Sequence, residues 1–172
     1  MRHLLFGAVL LAGAGCSLIT VKQDPFPALE VRADRPPPGP SRVVLTASSI
    51  TIGEKVQFAT GSSQILPVSF GLLDEVAKVL TDNSQIELIQ VEGHTDSTGT
   101  AALNRKLSQQ RAESVMRYLA SKGVAASRMK AQGFGPDRPI ADNATDEGRE
   151  QNRRVEFNIQ KQGPKKTVVR DD

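Results

Sequence analysis

Hydrophobic and polar residues alternate in two short parts of the chain, and a third has a short apolar run. Segments 50–58 and 155–160 carry an aliphatic or aromatic residue at roughly every second position, and segment 42–46 contains Val-Val-Leu. A period of two residues is typical of a β-strand with one buried face and one face in water. We therefore predict a strand in each of the three segments.

Two longer segments repeat hydrophobic residues at helical spacing. In the first, Pro67 suits the first turn of a helix, and Asp82-Asn83 marks its end. Between them, apolar residues spaced i, i+3, i+4, i+7 share one helix face: Leu73, Val76, Ala77 and Leu80. In the second, 101–122, neither proline nor glycine interrupts the chain, and Gly123 follows as a C-cap. We predict one long amphipathic helix in each.

Shorter elements lie between and after these helices. Segment 86–91 is almost continuously apolar, the pattern of a central strand covered on both faces. A short strand is expected at 129–132, followed by a loop at 133–143 that contains the glycines and prolines of irregular backbone. Asn143 or Thr145 then caps a short helix that ends near residue 151.

This series of elements predicts an α+β domain at 43–160, with two long helices packed on one mixed β-sheet. A length of 172 residues with 38% hydrophobic content suits one such domain with appendages. A strand whose exit loop leads into a helix N-terminus is a common place for a polar ligand site. We therefore expect a ligand cleft after strand 86–91, where the sequence reads Gly-His-Thr-Asp.

An arginine interrupts the hydrophobic stripe of the second helix. Leu103, Leu107, Val115 and Leu119 recur at four-residue steps, and Arg111 falls in the same series. A guanidinium beside a core needs an anion, because an unpaired buried charge costs several kcal/mol. The nearest candidate is Asp96, in the loop before the helix. Two interpretations remain open: a salt bridge that joins loop to helix, or two separated groups that each bind one end of a zwitterion.

Polar residues near this pair are further candidates. Thr95 and Asn104 flank the expected pocket, and each either contacts the ligand or braces the loop. Arg153 and Arg154 precede the last predicted strand. Since adjacent strand residues face opposite ways, we expect only one of these two arginines to face the pocket.

Composition excludes several classes of function. The net charge of +3 is small and scattered, and a single tyrosine with no tryptophan leaves few aromatic rings for stacking on bases, so we expect no nucleic-acid binding. There is no G-x-S-x-G motif and no phosphate-binding glycine loop, so we expect neither an enzyme nor a cofactor. Metal binding is disfavoured, because His94 has too few ligands nearby in the sequence. We expect His94 to orient its loop by hydrogen bonding to backbone.

The amino-terminal segment has the pattern of a secretory signal. In residues 1–15, Arg2 precedes an apolar run that is too short to span a bilayer, and small residues lead to Cys16. Cys16 is the only cysteine, so the chain has no internal disulfide and no multi-thiolate metal site. Segment 16–42 is rich in proline, which favours an extended tether of up to about 80 Å, with a disordered spacer of no defined length as the alternative. Segment 161–172 has no usable pattern and is expected to be a mobile tail.

Five stretches of this sequence resemble one known family. They are GHTDSTG from Gly93, Asn104, LSQQRA at 107–112, GFGPDRPI from Gly133 and NRRVEF from Asn152. In this order they resemble the OmpA-like C-terminal domain, which also occurs in peptidoglycan-associated lipoproteins and flagellar stator proteins, and the resemblance covers about 50–159. It implies an OmpA-C-like β/α/β/α/β sandwich.

The resemblance also implies a ligand. In the family, the aspartate of the TD pair and the arginine of the LSxxRA segment hold the diaminopimelate of the peptidoglycan stem peptide without covalent chemistry. By position these are Asp96 and Arg111, and the first arginine of NRR, Arg153, is the better candidate for facing the pocket. The family often has Asp or Asn after the first-strand phenylalanine, where this chain has Ala59 and Thr60. This departure argues against a side-chain contact from this loop to the ligand and leaves its backbone groups available for one.

The first fifteen residues resemble a bacterial lipoprotein signal, in which Cys16 receives acyl chains such as palmitate and becomes the first mature residue. Gly13 departs from the leucine usual at its position, so an ordinary secretory signal is the alternative. Ser17 favours sorting to the outer membrane. The resemblance thus implies an outer-membrane lipoprotein whose domain faces the periplasm and binds the cell wall. Docking to an envelope protein complex and wall-modifying catalysis are the alternatives.

Overall fold

Residues 42–164 are described by the computed structural model and contain five strands and three α-helices. The strands are β1 (Val43–Leu45), β2 (Ser49–Ile52), β3 (Ile86–His94), β4 (Met129–Gly135) and β5 (Val155–Gln162). The helices are α1 (Phe70–Asp82), α2 (Ala101–Ser121) and α3 (Asp146–Asn152). Short 3₁₀ turns at Pro67–Ser69 and Ala126–Arg128 precede α1 and β4.

The five strands form one mixed sheet in the order β1-β2-β5-β3-β4. β3 lies between β5 and the edge strand β4, pairing in parallel with β4 and antiparallel with β5. The two long helices share one hydrophobic core with this sheet, so the α+β prediction is confirmed. All four apolar residues predicted for the buried face of α1 are buried.

The strand predicted at 50–58 ends early, at Ile52. Gly53 donates its backbone N–H to the carbonyl of Arg42, which closes the β1–β2 pair, and the chain then leaves the sheet. Phe58 pairs instead with Ile65 across an isolated bridge. The small-residue segment 59–64 is therefore a loop closed at its base, and it lies against α2.

The buried face of α2 differs from the predicted stripe. Val115 and Leu119 are buried as expected, but Leu103 is 67% exposed. Gly135, at the end of β4, lies beneath Arg105, so the first turn of α2 extends beyond the end of the sheet. The residues that face the sheet further along the helix include Ser108 and Ala112.

Helix α2 lies against the sheet at backbone contact distance. A Cβ atom added to Gly93 would lie 2.2 Å from the carbonyl oxygen of Ser108, and one added to Gly133 would lie 2.2 Å from the amide nitrogen of Gln109. Only glycine allows this approach. The ends of β3 and β4 are thereby held in a fixed position relative to the middle of α2.

The later elements are longer than predicted. β4 continues through Gly135 into the predicted loop, and β5 continues to Gln162, so residues 161–162 belong to the sheet rather than to a tail. Thr145 is the N-cap of α3 and accepts a 3.0 Å hydrogen bond from the Gly148 amide. α2 ends at Ser121 with Lys122 as its C-cap, so the predicted C-cap Gly123 lies one residue further on, where it has a left-handed φ of 94°.

Several predictions concern residues outside the described range. The signal at 1–15, the lipidation of Cys16, the tether up to residue 41 and the tail from 165 onward all lie there. Among the described helices, none combines the length and the hydrophobicity that crossing a bilayer requires.

Candidate functional site

The loop after β3 holds Asp96 through its own hydrogen bonds. The Thr95 amide donates to the Gly135 carbonyl at 3.0 Å, which ties the start of the loop to the end of β4. The Thr95 hydroxyl donates to the Asp96 carbonyl at 2.9 Å. One carboxylate oxygen of Asp96 accepts the Thr98 amide at 2.8 Å, so the side chain is held over its own turn. Asp96 is buried.

Asn104 braces the same loop from α2. Its side-chain nitrogen donates to the Thr98 carbonyl at 2.9 Å and to the Asp96 carbonyl at 3.3 Å. Thr95 and Asn104 thus both direct their hydrogen donors to loop carbonyls. The sequence left open whether these two residues contact the ligand or brace the loop, and these hydrogen bonds favour bracing of the loop.

The second carboxylate oxygen of Asp96 is bound by Arg153. The Arg153 Nη1 atom lies 2.5 Å from Asp96 Oδ2, and the same guanidinium also binds Glu150. Burial by itself raises the pKa of Asp96, but the hydrogen bonds from Arg153 and the Thr98 amide outweigh it and hold this pKa below its usual value. Asp96 is therefore ionised at neutral pH.

Arg111 is held on a different set of contacts. Its Nε atom donates to the Ser62 carbonyl at 2.9 Å, and its guanidinium carbon lies 5.0 Å from the centroid of the Phe58 ring, a cation–π distance. Arg111 is half-buried, and it has no carboxylate partner among residues 42–164. Burial, and then the positive charge of Arg153, lower its pKa, while Asp96 opposes this effect.

Asp96 and Arg111 therefore do not form an ion pair with each other. The salt bridge that was one of the two interpretations of the sequence is absent, and Asp96 pairs with Arg153 instead. The two groups are nevertheless close enough for Asp96 to influence the pKa of Arg111. An anionic and a cationic side chain thus stand apart at one site.

A cleft of about 650 Å³ adjoins this pair. Its lining carries four basic and two acidic side chains, and consists of Glu54, Lys55, Val56, Gln57, Phe58, Arg111, Glu150, Arg153 and Arg154. Asp96 is not part of this lining, but Arg153, which is bound to it, is. The excess of basic groups suits an anionic ligand.

Arg153 and Arg154 both border the cleft, but their side chains have different partners. Arg153 binds Asp96, whereas Arg154 donates to Glu156 and to the Arg138 carbonyl. That only one of the two arginines faces the ligand stays a prediction, with Arg153 as the residue that contacts Asp96. β5 begins at Val155, and Arg153 is the C-cap of α3. Arg154 is bound to Glu156, with Nε 2.6 Å from Oε1.

His94 differs from its prediction. It is the last residue of β3, its side chain is 1% exposed, and neither ring nitrogen has a hydrogen-bond partner among the described residues. The expected hydrogen bond from its ring to backbone is therefore absent, and the ring stacks on Phe134 at a centroid distance of 5.5 Å. Burial, followed by the positive charge of Arg154, lowers the pKa of His94 to about 4.

Sequence reasoning missed the two contacts that hold Arg111. Phe58 and Ser62 lie about fifty residues before it, and no pattern in the chain indicated that their loop packs on α2. The departure at Ala59 and Thr60 concerned contacts from this loop to a ligand, and it did not indicate that the Ser62 carbonyl accepts a hydrogen bond from Arg111.

Comparison with known proteins identifies relatives of this domain. The model of the OmpA family matches residues 57–153. The probable lipoprotein YiaD of Escherichia coli (strain K12) is 44% identical over 110 residues, which are 64% of this chain and 50% of YiaD. The chain thus spans about half the length of this relative, and the match to outer membrane porin F of Pseudomonas fluorescens covers 35% of that protein.

Solved structures agree with the fold. The peptidoglycan-associated lipoprotein from Burkholderia pseudomallei is 32% identical, with a TM-score of 0.57, over 63% of this chain and 92% of that one. The cell wall anchor of the type VI secretion system (T6SS) from Pseudomonas aeruginosa is 33% identical, with a TM-score of 0.59, over 69% and 87%. With a family match across more than half of its length, the chain belongs to the OmpA family.

Proposed function

We propose that this domain binds peptidoglycan non-covalently through the diaminopimelate of the stem peptide. The main observation behind this proposal is that the Arg111 guanidinium is available to bind an anion. Its guanidinium is half-buried and fixed on one edge by the Ser62 carbonyl, and it has no carboxylate partner within residues 42–164. Family membership and the name of the Burkholderia relative, a peptidoglycan-associated lipoprotein, support peptidoglycan as the polymer that is bound.

A carboxylate is the ligand that Arg111 is arranged to bind. Nε is already used on Ser62, and the two terminal nitrogens form the remaining fork of the guanidinium. A carboxylate binds such a fork with two parallel hydrogen bonds, which a point charge cannot match. Phe58 holds the guanidinium in one plane before the ligand arrives, which reduces the entropy lost on binding.

Asp96 provides the opposite charge for the ligand's ammonium group. Because Arg153 already occupies one of its oxygens, the ligand shares Asp96 with this arginine or displaces it. Arg153 lines the cleft and lowers the pKa of Asp96, so we assign it to the binding site. Thr95 and Asn104 act on the ligand indirectly, by fixing the loop that carries Asp96.

The proposed cellular role is a non-enzymatic tether between the outer membrane and the cell wall. Lipidation of Cys16, an extended segment at 16–42 and a domain in the periplasm would together connect the two layers. The names of two relatives, a probable lipoprotein and a peptidoglycan-associated lipoprotein, support an acylated form. No cofactor is needed for binding of this kind.

Co-sedimentation with purified sacculi tests the proposal. Each charge-assisted bond contributes about 1.5 to 3 kcal/mol, so Asp96→Ala or Arg111→Ala should weaken binding about tenfold or more. Arg117→Ala is the matched control, because it removes an exposed arginine from the same helix, α2. Undiminished sedimentation of the folded Asp96 and Arg111 variants would remove both residues from the site.

Titration with free ligands tests the chemical assignment. Diaminopimelate carries a carboxylate and an ammonium at each end, whereas lysine lacks the carboxylate at the end of its side chain. We expect saturable binding of diaminopimelate and at least tenfold weaker binding of lysine. Equal affinities would exclude the assigned role of Arg111.

An alternative function is docking in an envelope complex, and the similarity to the cell wall anchor of the T6SS favours it. In this case the domain would bind a protein partner in addition to, or instead of, the wall. A pull-down from envelope extracts distinguishes the two, because capture that survives muramidase digestion requires a protein partner.

A further inference from the structure

We propose that Glu92, His94 and Glu156 form a binding site for a divalent transition-metal ion, separate from the proposed peptidoglycan cleft. Glu92 and His94 are two residues apart on β3 and therefore share a face of the sheet. Glu156 lies directly opposite Glu92 on the antiparallel strand β5. Gly93, between Glu92 and His94, faces α2, so the three side chains lie on the other face of the sheet.

The unpartnered ring of His94 is the first observation that points to a ligand. Its side chain is 99% buried, yet neither of its nitrogens has a hydrogen-bond partner in the part of the chain that the structure describes. Buried polar atoms are nearly always paired, since an unpaired one costs about 1 to 3 kcal/mol. The Nε2 atom lies 3.8 Å from the Glu92 carboxylate, too far for a hydrogen bond but close enough for both to bind one ion.

The positions of the two carboxylates are the second observation. One donor atom from each of the three residues lies within 4.8 Å of those of the other two. Metal–ligand bonds of about 2.1 Å bring such atoms together after small side-chain rotations. Like charges directly opposite each other on paired strands are destabilising, and a bound cation reverses this effect for Glu92 and Glu156. One imidazole with two carboxylates suits Zn²⁺ or Co²⁺ better than Mg²⁺ or Ca²⁺.

Two arginines compete with a metal for these carboxylates. Arg154 binds one oxygen of Glu156 at 2.6 Å and is mostly buried. Arg138 lies 3.4 Å from Glu92, is 58% exposed and stacks on Phe134. Arg138 is therefore the weaker competitor and the one that can move into solvent. Its removal should strengthen metal binding.

The proposal differs from the expectation based on sequence. That expectation rejected a metal because His94 has few ligands close to it along the chain. The fold supplies Glu156 from the last strand, and the partner is set by the β3–β5 register rather than by local spacing. Glu156 also lines a cavity of about 470 Å³, which brings solvent space next to the site.

The test measures binding of Co²⁺ and Zn²⁺ to the full chain by calorimetry and by Co²⁺ absorption. Cys16→Ser and His3→Ala are introduced throughout, so that no other thiol or imidazole contributes. We expect one ion per chain, at least tenfold weaker binding in His94→Gln and in Glu156→Gln, and tighter binding in Arg138→Ala. Glu113→Gln, on the surface of α2, is the matched control and should bind as the parent does.

Two outcomes would overturn the proposal. One is the absence of stoichiometric binding by the parent chain, and the other is equal binding by the His94→Gln and Glu156→Gln variants. Circular dichroism of each variant shows whether it has folded, and Glu156→Gln keeps the test valid if His94→Gln has not. Sedimentation with sacculi in EDTA measures the proposed wall binding independently, so failure of one proposal leaves the other intact.

Discussion

Arg111 and Asp96 lie at one site without pairing, because each is held by a different neighbour. Arg153 binds Asp96, and the Ser62 carbonyl with the Phe58 ring holds Arg111. A direct ion pair between Arg111 and Asp96 would leave no free guanidinium fork for a ligand carboxylate. The separation leaves the guanidinium fork available, and the following predictions depend on it.

Arg111→Lys should weaken sedimentation with sacculi about tenfold although it keeps the positive charge. Lysine cannot form two parallel hydrogen bonds to a carboxylate, and it cannot donate to Ser62 with the same planar group. Arg117→Lys, at an exposed position of α2, is the control and should bind normally. Full binding by Arg111→Lys would mean that charge alone recruits the ligand.

Phe58→Leu should reduce wall binding by a smaller factor. The substitution keeps an apolar side chain but removes the ring under the Arg111 guanidinium, a contact worth about 0.5 to 1 kcal/mol. We expect about two- to fivefold weaker affinity for diaminopimelate by calorimetry. Val56→Ala shortens another side chain that lines the cleft. It tests whether a smaller side chain anywhere in the lining weakens the affinity for diaminopimelate equally.

Arg153→Gln should raise the pKa of Asp96. The hydrogen bond from Arg153 is the largest of the influences that lower this pKa and oppose the effect of burial, so its loss should let the pKa rise. The measurement is an NMR titration that follows the Asp96 carboxyl carbon. A pKa unchanged from the parent would show that Arg153 does not lower the pKa of Asp96.

The free energy of unfolding should depend on pH through His94. Its pKa is about 4 in the folded domain, against an ordinary value of 6.5, so the unfolded chain binds a proton that the folded chain rejects in this window. The contribution of neutral His94 to the free energy of unfolding is therefore fully present above pH 6.5, and it is lost as the pH decreases toward 4. Between pH 7 and pH 5 the loss should be about 2 kcal/mol.

Urea denaturation in EDTA at these two pH values measures this dependence. His94→Gln should remove most of it, because glutamine does not titrate. An equal loss of stability in the parent and in His94→Gln would assign the effect to other groups.

Gly93→Ala should destabilise the domain by about 3 kcal/mol, since the new Cβ would lie 2.2 Å from the Ser108 carbonyl oxygen. Gly53→Ala is the matched control: its Cβ would lie 3.6 Å from the nearest atom, an ordinary contact. Thermal unfolding compares the two. Similar midpoints would mean that α2 can move away from β3 at little cost.

Sequence alone located the elements whose signals are local. Such signals depend on residues within a few positions of one another. Examples are the apolar face of α1, the end of α1 at Asp82-Asn83 and the N-cap at Thr145. Arg111 stood out for the same reason, as a charge within an apolar series. The prediction failed at Leu103, because periodicity shows which residues share a face but not where the sheet beneath that face ends.

The contacts that sequence did not indicate connect distant parts of the chain. Ser62 meets Arg111 through the packing of a loop on α2, and Arg153 reaches Asp96 from the end of α3. The pairing of Glu92 with Glu156 depends on strand register, which a one-residue shift would change. These relationships require the fold, since no local spacing encodes them.

The glycine contacts between α2 and the sheet have a consequence for how this domain can diversify. At Gly93 and Gly133 the backbone of the sheet lies directly against the backbone of α2. No side chain separates the two there, so small side-chain substitutions cannot change the distance between α2 and the sheet. A ligand with a different spacing between its poles would require the whole helix to be displaced. New specificities are therefore expected to arise at the exposed rim, where Leu103 projects, while the central geometry is inherited unchanged.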